Sequence, residues 1–198
     1  MKESNIFIIY ETDREKKILN DFVTTVNKNG ISITMEEVPS QPKMGVEWLM
    51  ATAVVIYLAK PYFNSFLSEM GKDHYQLLKK GLLDLKDCFF GDNVAKRVLI
   101  PSSSSPNKLK DKSGKYSLDF SIMAEANNGN RFKLLIPKEI TNQEYTNTIT
   151  SFLMFLEKYN NNEVKEIPNE FIFSKTILLS YNSELDKLEF INPFAKIK

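Results

Sequence analysis

Two hydrophobic periods alternate along this chain, and their order predicts an α/β protein. Asn5 to Tyr10 is an apolar, β-branched and aromatic run without polar alternation, the pattern of a parallel strand buried on both faces. Thr12-x-x-Glu15 then has capping-box form, and Ile18, Leu19, Phe22, Val23 and Val26 share one helical stripe that ends before Gly30. Ile31 to Met35 reads as a second strand, and Pro39 and Pro42 interrupt regular structure after it. Val46 to Met50 reads as a brief helix, and residues 39–46 as a mobile loop. Ala53 to Leu58 is the strongest strand, a run suited to a sheet centre with helices on both sides. Phe66, Leu67, Met70, Leu77, Leu78, Leu82 and Leu85 trace a long helix weakened at Gly71 and Gly81.

The second half departs from simple alternation. Val98 to Ile100 is a fourth strand stopped by Pro101 and a Ser-rich loop. Tyr116 to Met123 and Arg131 to Ile136 flank Asn127-Asn128-Gly129-Asn130, whose Asn-Gly step can supply the positive φ of a tight hairpin. A second capping box, Thr141-x-x-Glu144, opens a helix with Tyr145, Ile149, Phe152, Leu153 and Leu156 inward, ending near Asn160. Lys175 to Tyr181 and Leu185 to Ile191 form an appended C-terminal hairpin. The expected fold is therefore a doubly wound, mostly parallel five-stranded, flavodoxin-like sheet with an added β-hairpin and the C-terminal hairpin. Residues 1–160 make the domain, and 161–198 an extension packed on it. The loops after Tyr10, Met35 and Leu58 should converge on a crevice at the carboxyl ends of the strands.

Composition narrows the function. The 26 basic and 25 acidic residues nearly cancel, so no overall field draws nucleic acid or an anionic membrane. Lys108, Lys110, Lys112 and Lys115 lack interleaved aromatics and read as a solvated loop. A single cysteine, Cys88, gives neither a disulfide framework nor a thiolate cluster for zinc. With no signal-peptide core or spanning segment, a cytoplasmic location is expected. Neither a Gly-x-Gly-x-x-Gly turn nor a P-loop is present. A receiver domain would end its third strand on an acceptor aspartate, where this chain has Leu58-Ala59-Lys60. His74 is the only histidine, which gives no multi-histidine metal site, and it reads as packed or surface rather than catalytic.

Two segments, Asn5-Ile-Phe-Ile-Ile-Tyr-Glu-Thr-Asp13 and Glu47-Trp-Leu-Met-Ala-Thr-Ala-Val-Val-Ile-Tyr-Leu-Ala-Lys-Pro-Tyr-Phe-Asn-Ser65, with Glu69 just beyond, resemble the Toll/interleukin receptor-like (TIR) family, as found in bacteria. The first is similar to the strand and polar turn that open a TIR domain, the second to its central strand and the turn before the catalytic helix. The likeness covers roughly the first 90 residues. Ile8 and Ile9 stand where many members carry Ile-Ser, Ala59 replaces the usual serine, and Glu69 follows Ser65 closely. The resemblance implies NAD cleavage in bacterial defence or signalling, with Glu69 as the catalytic carboxylate and Asp73, one turn on, as its competitor. It implies NAD as substrate with no cofactor or metal, and a homo-oligomer through the 37–47 loop, with a defence-system protein as a further partner.

That chemistry needs one carboxylate. Nicotinamide leaves NAD as a neutral molecule, so no general acid is required, and the oxocarbenium-like ribosyl centre is stabilised by nearby negative charge. Trp48, Tyr62 and Phe63 are candidate aromatic faces, Tyr10, Glu11 and Thr12 candidates for the mouth, and Ser65 a further contact. Core packing competes for each aromatic, and helix-dipole compensation for Glu69. Two other functions compete: a catalytically silent TIR-like module that binds a nucleotide or a protein, and a nucleoside deoxyribosyltransferase-like enzyme, on the four residues Ser68-Glu69-Met70-Gly71.

Overall fold

The computed structural model describes residues 5–27, 31–40, 52–64, 69–91, 94, 97, 115–164, 166–192 and 194, with the side chains of 61, 64 and 69–72 outside that set. The brief helix at Val46 to Met50, the strand at Val98 to Ile100, Trp48, Ser65 and residues 41–47 all fall outside the described residues.

Both capping boxes form. In α1 (Asp13–Val26), Thr12 Oγ1 accepts from the Glu15 amide, while Glu15 Oε2 accepts from the Thr12 amide at 3.0 Å. In α5 (Asn142–Asn160), Thr141 and Glu144 make the same reciprocal pair. Each box satisfies donors that a helix start leaves without a partner. α1 joins β1 (Ile6–Tyr10) to β2 (Ile33–Glu37), and the two strands pair in parallel. β3 (Val54–Leu58) lies next to β1 but runs antiparallel to it, with Ile6 opposite Leu58.

After β3 come α2 (Lys60–Asn64), α3 (Glu69–Asp84) and α4 (Lys86–Phe90). β4 (Phe120–Glu125) and β5 (Arg131–Leu135) form the predicted hairpin. Asn128 and Gly129 take φ of 60° and 69° there, the left-handed backbone that Asn and Gly adopt at least cost. β6 (Ile172–Phe173), β7 (Thr176–Asn182) and β8 (Lys187–Ile191) complete an eight-stranded sheet of order β2-β1-β3-β4-β5-β7-β6, with β8 also on β7. β1/β2, β3/β4 and β5/β7 are parallel, and the other neighbours antiparallel.

The chain is thus an α/β protein with a mixed sheet. Two expectations change. The sheet has eight strands rather than five, because the C-terminal strands are built into it: β7 pairs with β5, and its Ile177 and Leu179 enter the core. The described helices also do not wind on both faces. Leu19, Phe22 and Val26 of α1, Leu78 and Leu82 of α3, and Ile149, Phe152 and Leu156 of α5 join Ile8, Ile56, Ile122, Leu134 and Leu179 of the sheet in one buried cluster. Their parity in the strands assigns them all to one face.

α3 runs unbroken through Gly71 and Gly81. A Cβ on Gly81 would lie 3.0 Å from Phe22 and Val26 side-chain atoms, so this glycine lets α1 and α3 pack closely, and that packing outweighs its poor helix propensity. No helix of the described residues is long and apolar enough to cross a membrane.

Candidate functional site

Because β1 and β3 are antiparallel, the residues expected to line one crevice separate to opposite ends of the sheet. Tyr10, Glu11 and Thr12 lie at the carboxyl end of β1, beside the start of β4. Leu58 and Ala59 lie at the other end, where the Ala59 amide bonds the Asn5 carbonyl at 3.0 Å and the Lys60 amide bonds Glu125 Oε2 at 2.8 Å. α3 starts at this second end, since His74 in its second turn bonds the carbonyl of Val26, the last residue of α1. Glu69, the first residue of α3, therefore opens a helix at the end away from Tyr10–Thr12, and Asp73 follows it one turn later, exposed.

Tyr62 and Phe63 are core residues, 1% and 4% exposed, and this removes them as ligand faces. The Tyr62 ring meets Phe63 and His74 edge-on. Its hydroxyl lies 3.0 Å from His74 Nδ1, and His74 Nε2 lies 2.8 Å from the Val26 carbonyl. A carbonyl only accepts, so Nε2 carries the proton and Nδ1 accepts from the Tyr62 hydroxyl. The lone histidine is a buried clamp on the end of α1. Burial lowers its pKa, against the opposing pull of the Val26 bond.

Replacing His74 with Phe should cost about 1–3 kcal/mol, since it takes the ring N–H away from the buried Val26 carbonyl. Its folded pKa lies below the unfolded value of about 6.5. The unfolded chain therefore binds the proton first, and the stability is complete above that pH and falls as pH drops toward the folded value. Urea melts at pH 7.5 and 5.5 should show a loss on acidification that is smaller in His74→Phe. An equal pH dependence would remove the clamp.

At the opposite end lies a cleft of about 410 Å³ lined in part by Thr12, Arg14, Glu15, Ile18, Phe89, Val94, Arg97 and Asp119. Its charged frame is built from three distant segments. Arg97 Nη1 donates to Asp119 Oδ1 at 2.9 Å and Nη2 to Glu15 Oε1 at 2.8 Å, with Glu11 Oε2 at 3.4 Å. The Arg97 amide also bonds Asp119 Oδ2 at 3.2 Å, and Ser40 Oγ bonds Glu11 Oε2 at 3.1 Å. Burial alone would lower the Arg97 pKa, but its hydrogen bonds to Glu15 and Asp119 outweigh it and raise the value. Glu15 thus serves twice, capping α1 with one oxygen and holding Arg97 with the other.

No protein family, curated protein or solved structure matches this chain.

Thr12 lines this cleft and Glu11 pairs with Arg97 beside it, while Tyr10 is packed in the core. Cys88 also lines the cleft, but burial and then Asp87 and Asp21 raise its pKa, so the thiol stays protonated and is a poor nucleophile. Sequence reasoning passed over Arg97 and Asp119. The one available signal was that Arg97 precedes an apolar run and Asp119 stands at a strand start, both common positions for charged residues. Among the described residues, no group of three or more His, Cys, Asp or Glu is arranged to hold a metal ion.

Proposed function

We propose that this chain is a TIR-like nucleotide-binding module whose ligand occupies the cleft at the carboxyl end of β1, and that Glu69 performs no NAD cleavage. The observation that supports this reading is the composition of the cleft. Ile18, Phe89 and Val94 supply an apolar wall for a flat heteroaromatic base, while the Arg14 guanidinium supplies positive charge for a phosphate. Glu15 and Asp119 carry oxygen lone pairs that can accept from ribose hydroxyls. The position also agrees with the general preference of α/β sheets for ligands at strand carboxyl ends. The TIR likeness is kept for β1-α1-β2 alone. A five-stranded, doubly wound TIR-like sheet would need β3 parallel to β1, and NAD cleavage in that family uses a helix glutamate near the β1 loop.

The test titrates NAD and AMP into the purified chain, following melting temperature and released nicotinamide. A ligand that binds only the folded state raises the melting temperature by mass action. Arg14→Glu should abolish most of the shift, Glu69→Gln should leave it intact, and nicotinamide should not accumulate. Nicotinamide release that disappears in Glu69→Gln would establish the NAD-cleaving enzyme instead. Base exchange on deoxynucleosides without NAD loss would establish the deoxyribosyltransferase-like enzyme. No shift with either nucleotide overturns the nucleotide-binding reading.

A further inference from the structure

We infer that a second groove, at the carboxyl ends of β5 and β7, binds an organic polycation through its amino groups. The groove has a volume of about 410 Å³ and contains Glu139, Glu144, Glu184 and Glu189, with Lys115 as the only basic residue lining it among those described. An acidic cluster alone does not define a site, but Ser180 adds an independent sign. Ser180 lines the groove on the interior strand β7, is 5% exposed, and its hydroxyl has no hydrogen-bond partner among the described residues. Nearly all buried hydroxyls are bonded, and an orphan costs stability. One that faces a polar groove is explained by a ligand that supplies the missing donor. An ammonium group does so with any of its three N–H bonds, and the Ser180 oxygen accepts.

The remaining groups favour a ligand with several separated charges. Glu189 sits opposite Ser180 across the β7/β8 ladder, so both side chains share one face. It is oriented by Asn182 Nδ2 at 3.0 Å and Lys187 Nζ at 3.1 Å, and those bonds hold its pKa below the usual carboxylate range. Glu144 is oriented by the α5 capping box, whose bond from the Thr141 amide likewise lowers its pKa. Both carboxylates are therefore ionised at neutral pH. The described carboxylates form no cluster fit for one metal ion. They stand on separate segments, before α5, in the first turn of α5, in the β7–β8 turn and on β8, which suits amines spaced along a chain. Two sources carry that chemistry: a free aliphatic polyamine and a run of lysine side chains on a peptide.

The test uses calorimetric titration of the full chain with spermine, with an acetyl-trilysine amide, and with the same peptide acetylated on every lysine. Binding of spermine or of the free-amine peptide is expected, the tighter of the two naming the source, and the acetylated peptide should not bind. Glu139→Gln combined with Glu184→Gln should weaken binding about tenfold or more, with no change in melting, because both side chains are exposed. Ser180→Ala should also weaken binding, yet raise the melting temperature, since it removes an unbonded buried hydroxyl. A merely structural Ser180 would not move the two readouts in opposite directions. Absence of binding by both cationic probes overturns the inference. So does affinity unchanged in the double Gln variant, which would put the polycation elsewhere on the surface. None of these outcomes depends on the nucleotide cleft, which uses other residues.

Discussion

A chain ended at Asn169 is expected to lose its cooperative native state. The truncation removes β6, β7 and β8, and β7 is an interior strand that pairs with β5 over five residues from Arg131 to Leu135. Ile177, Leu178 and Leu179 are each 2% exposed or less. At about 1.5–3 kcal/mol for each buried aliphatic side chain, these three alone contribute on the order of the net stability of a small domain, roughly 5–15 kcal/mol. The cut also bares Phe132 and Leu134 of β5 and exposes its unpaired edge, an invitation to aggregate. Near-ultraviolet circular dichroism and denaturant melts would detect the loss. A truncated chain that unfolds cooperatively at the parent's midpoint would mean that β7 is dispensable, against its place in the sheet.

Replacing Arg97 with Ala should destabilise the protein by roughly 2–4 kcal/mol. The breaking of a buried ion pair by deleting one partner costs about 3–5 kcal/mol, because the other charge stays buried. Here the Glu11, Glu15 and Asp119 side chains are 6%, 7% and 8% exposed, whereas Arg97 is 32% exposed. Water can therefore enter beside the deleted guanidinium, which argues for the lower part of the range. Arg97→Lys should recover only part of the loss, since an ammonium lacks the planar fork that serves Asp119 with one nitrogen and Glu15 with the other. Chemical denaturation of the parent and both variants checks these statements. Full recovery of stability in Arg97→Lys would show that a single positive charge, rather than the planar fork, holds the carboxylates.

The local elements were legible in the sequence for local reasons. The boxes at Thr12/Glu15 and Thr141/Glu144 define helix starts through bonds between residues three apart, so no distant partner is needed. The Asn128-Gly129 step defines a turn through backbone sterics alone. The stripes in α1 and α5 reached the core as expected because helical periodicity selects one face. His74 proved to be packed, one of the two ordinary places for a lone histidine.

Tertiary structure decided the rest. A continuous apolar run such as Val54 to Leu58 has the same pattern whichever way the strand points, so nothing in it distinguishes parallel from antiparallel pairing with β1. That one orientation separated Tyr10–Thr12 from Glu69. Thr176 to Asn182 looked like half of an appended hairpin, because hairpin turn chemistry identifies β8 as a neighbour but is silent on the other edge, where β5 pairs. The ionic frame joins Glu15, Arg97 and Asp119, whose contacts span 82 and 22 residues of sequence. The β7 groove likewise gathers α5, β7 and β8, and Ser180 is unexceptional until the sheet leaves its hydroxyl unbonded. Short-range bonding and periodicity fix the elements of this protein, whereas its two clefts arise from charge pairing and strand direction, which act only once distant segments meet.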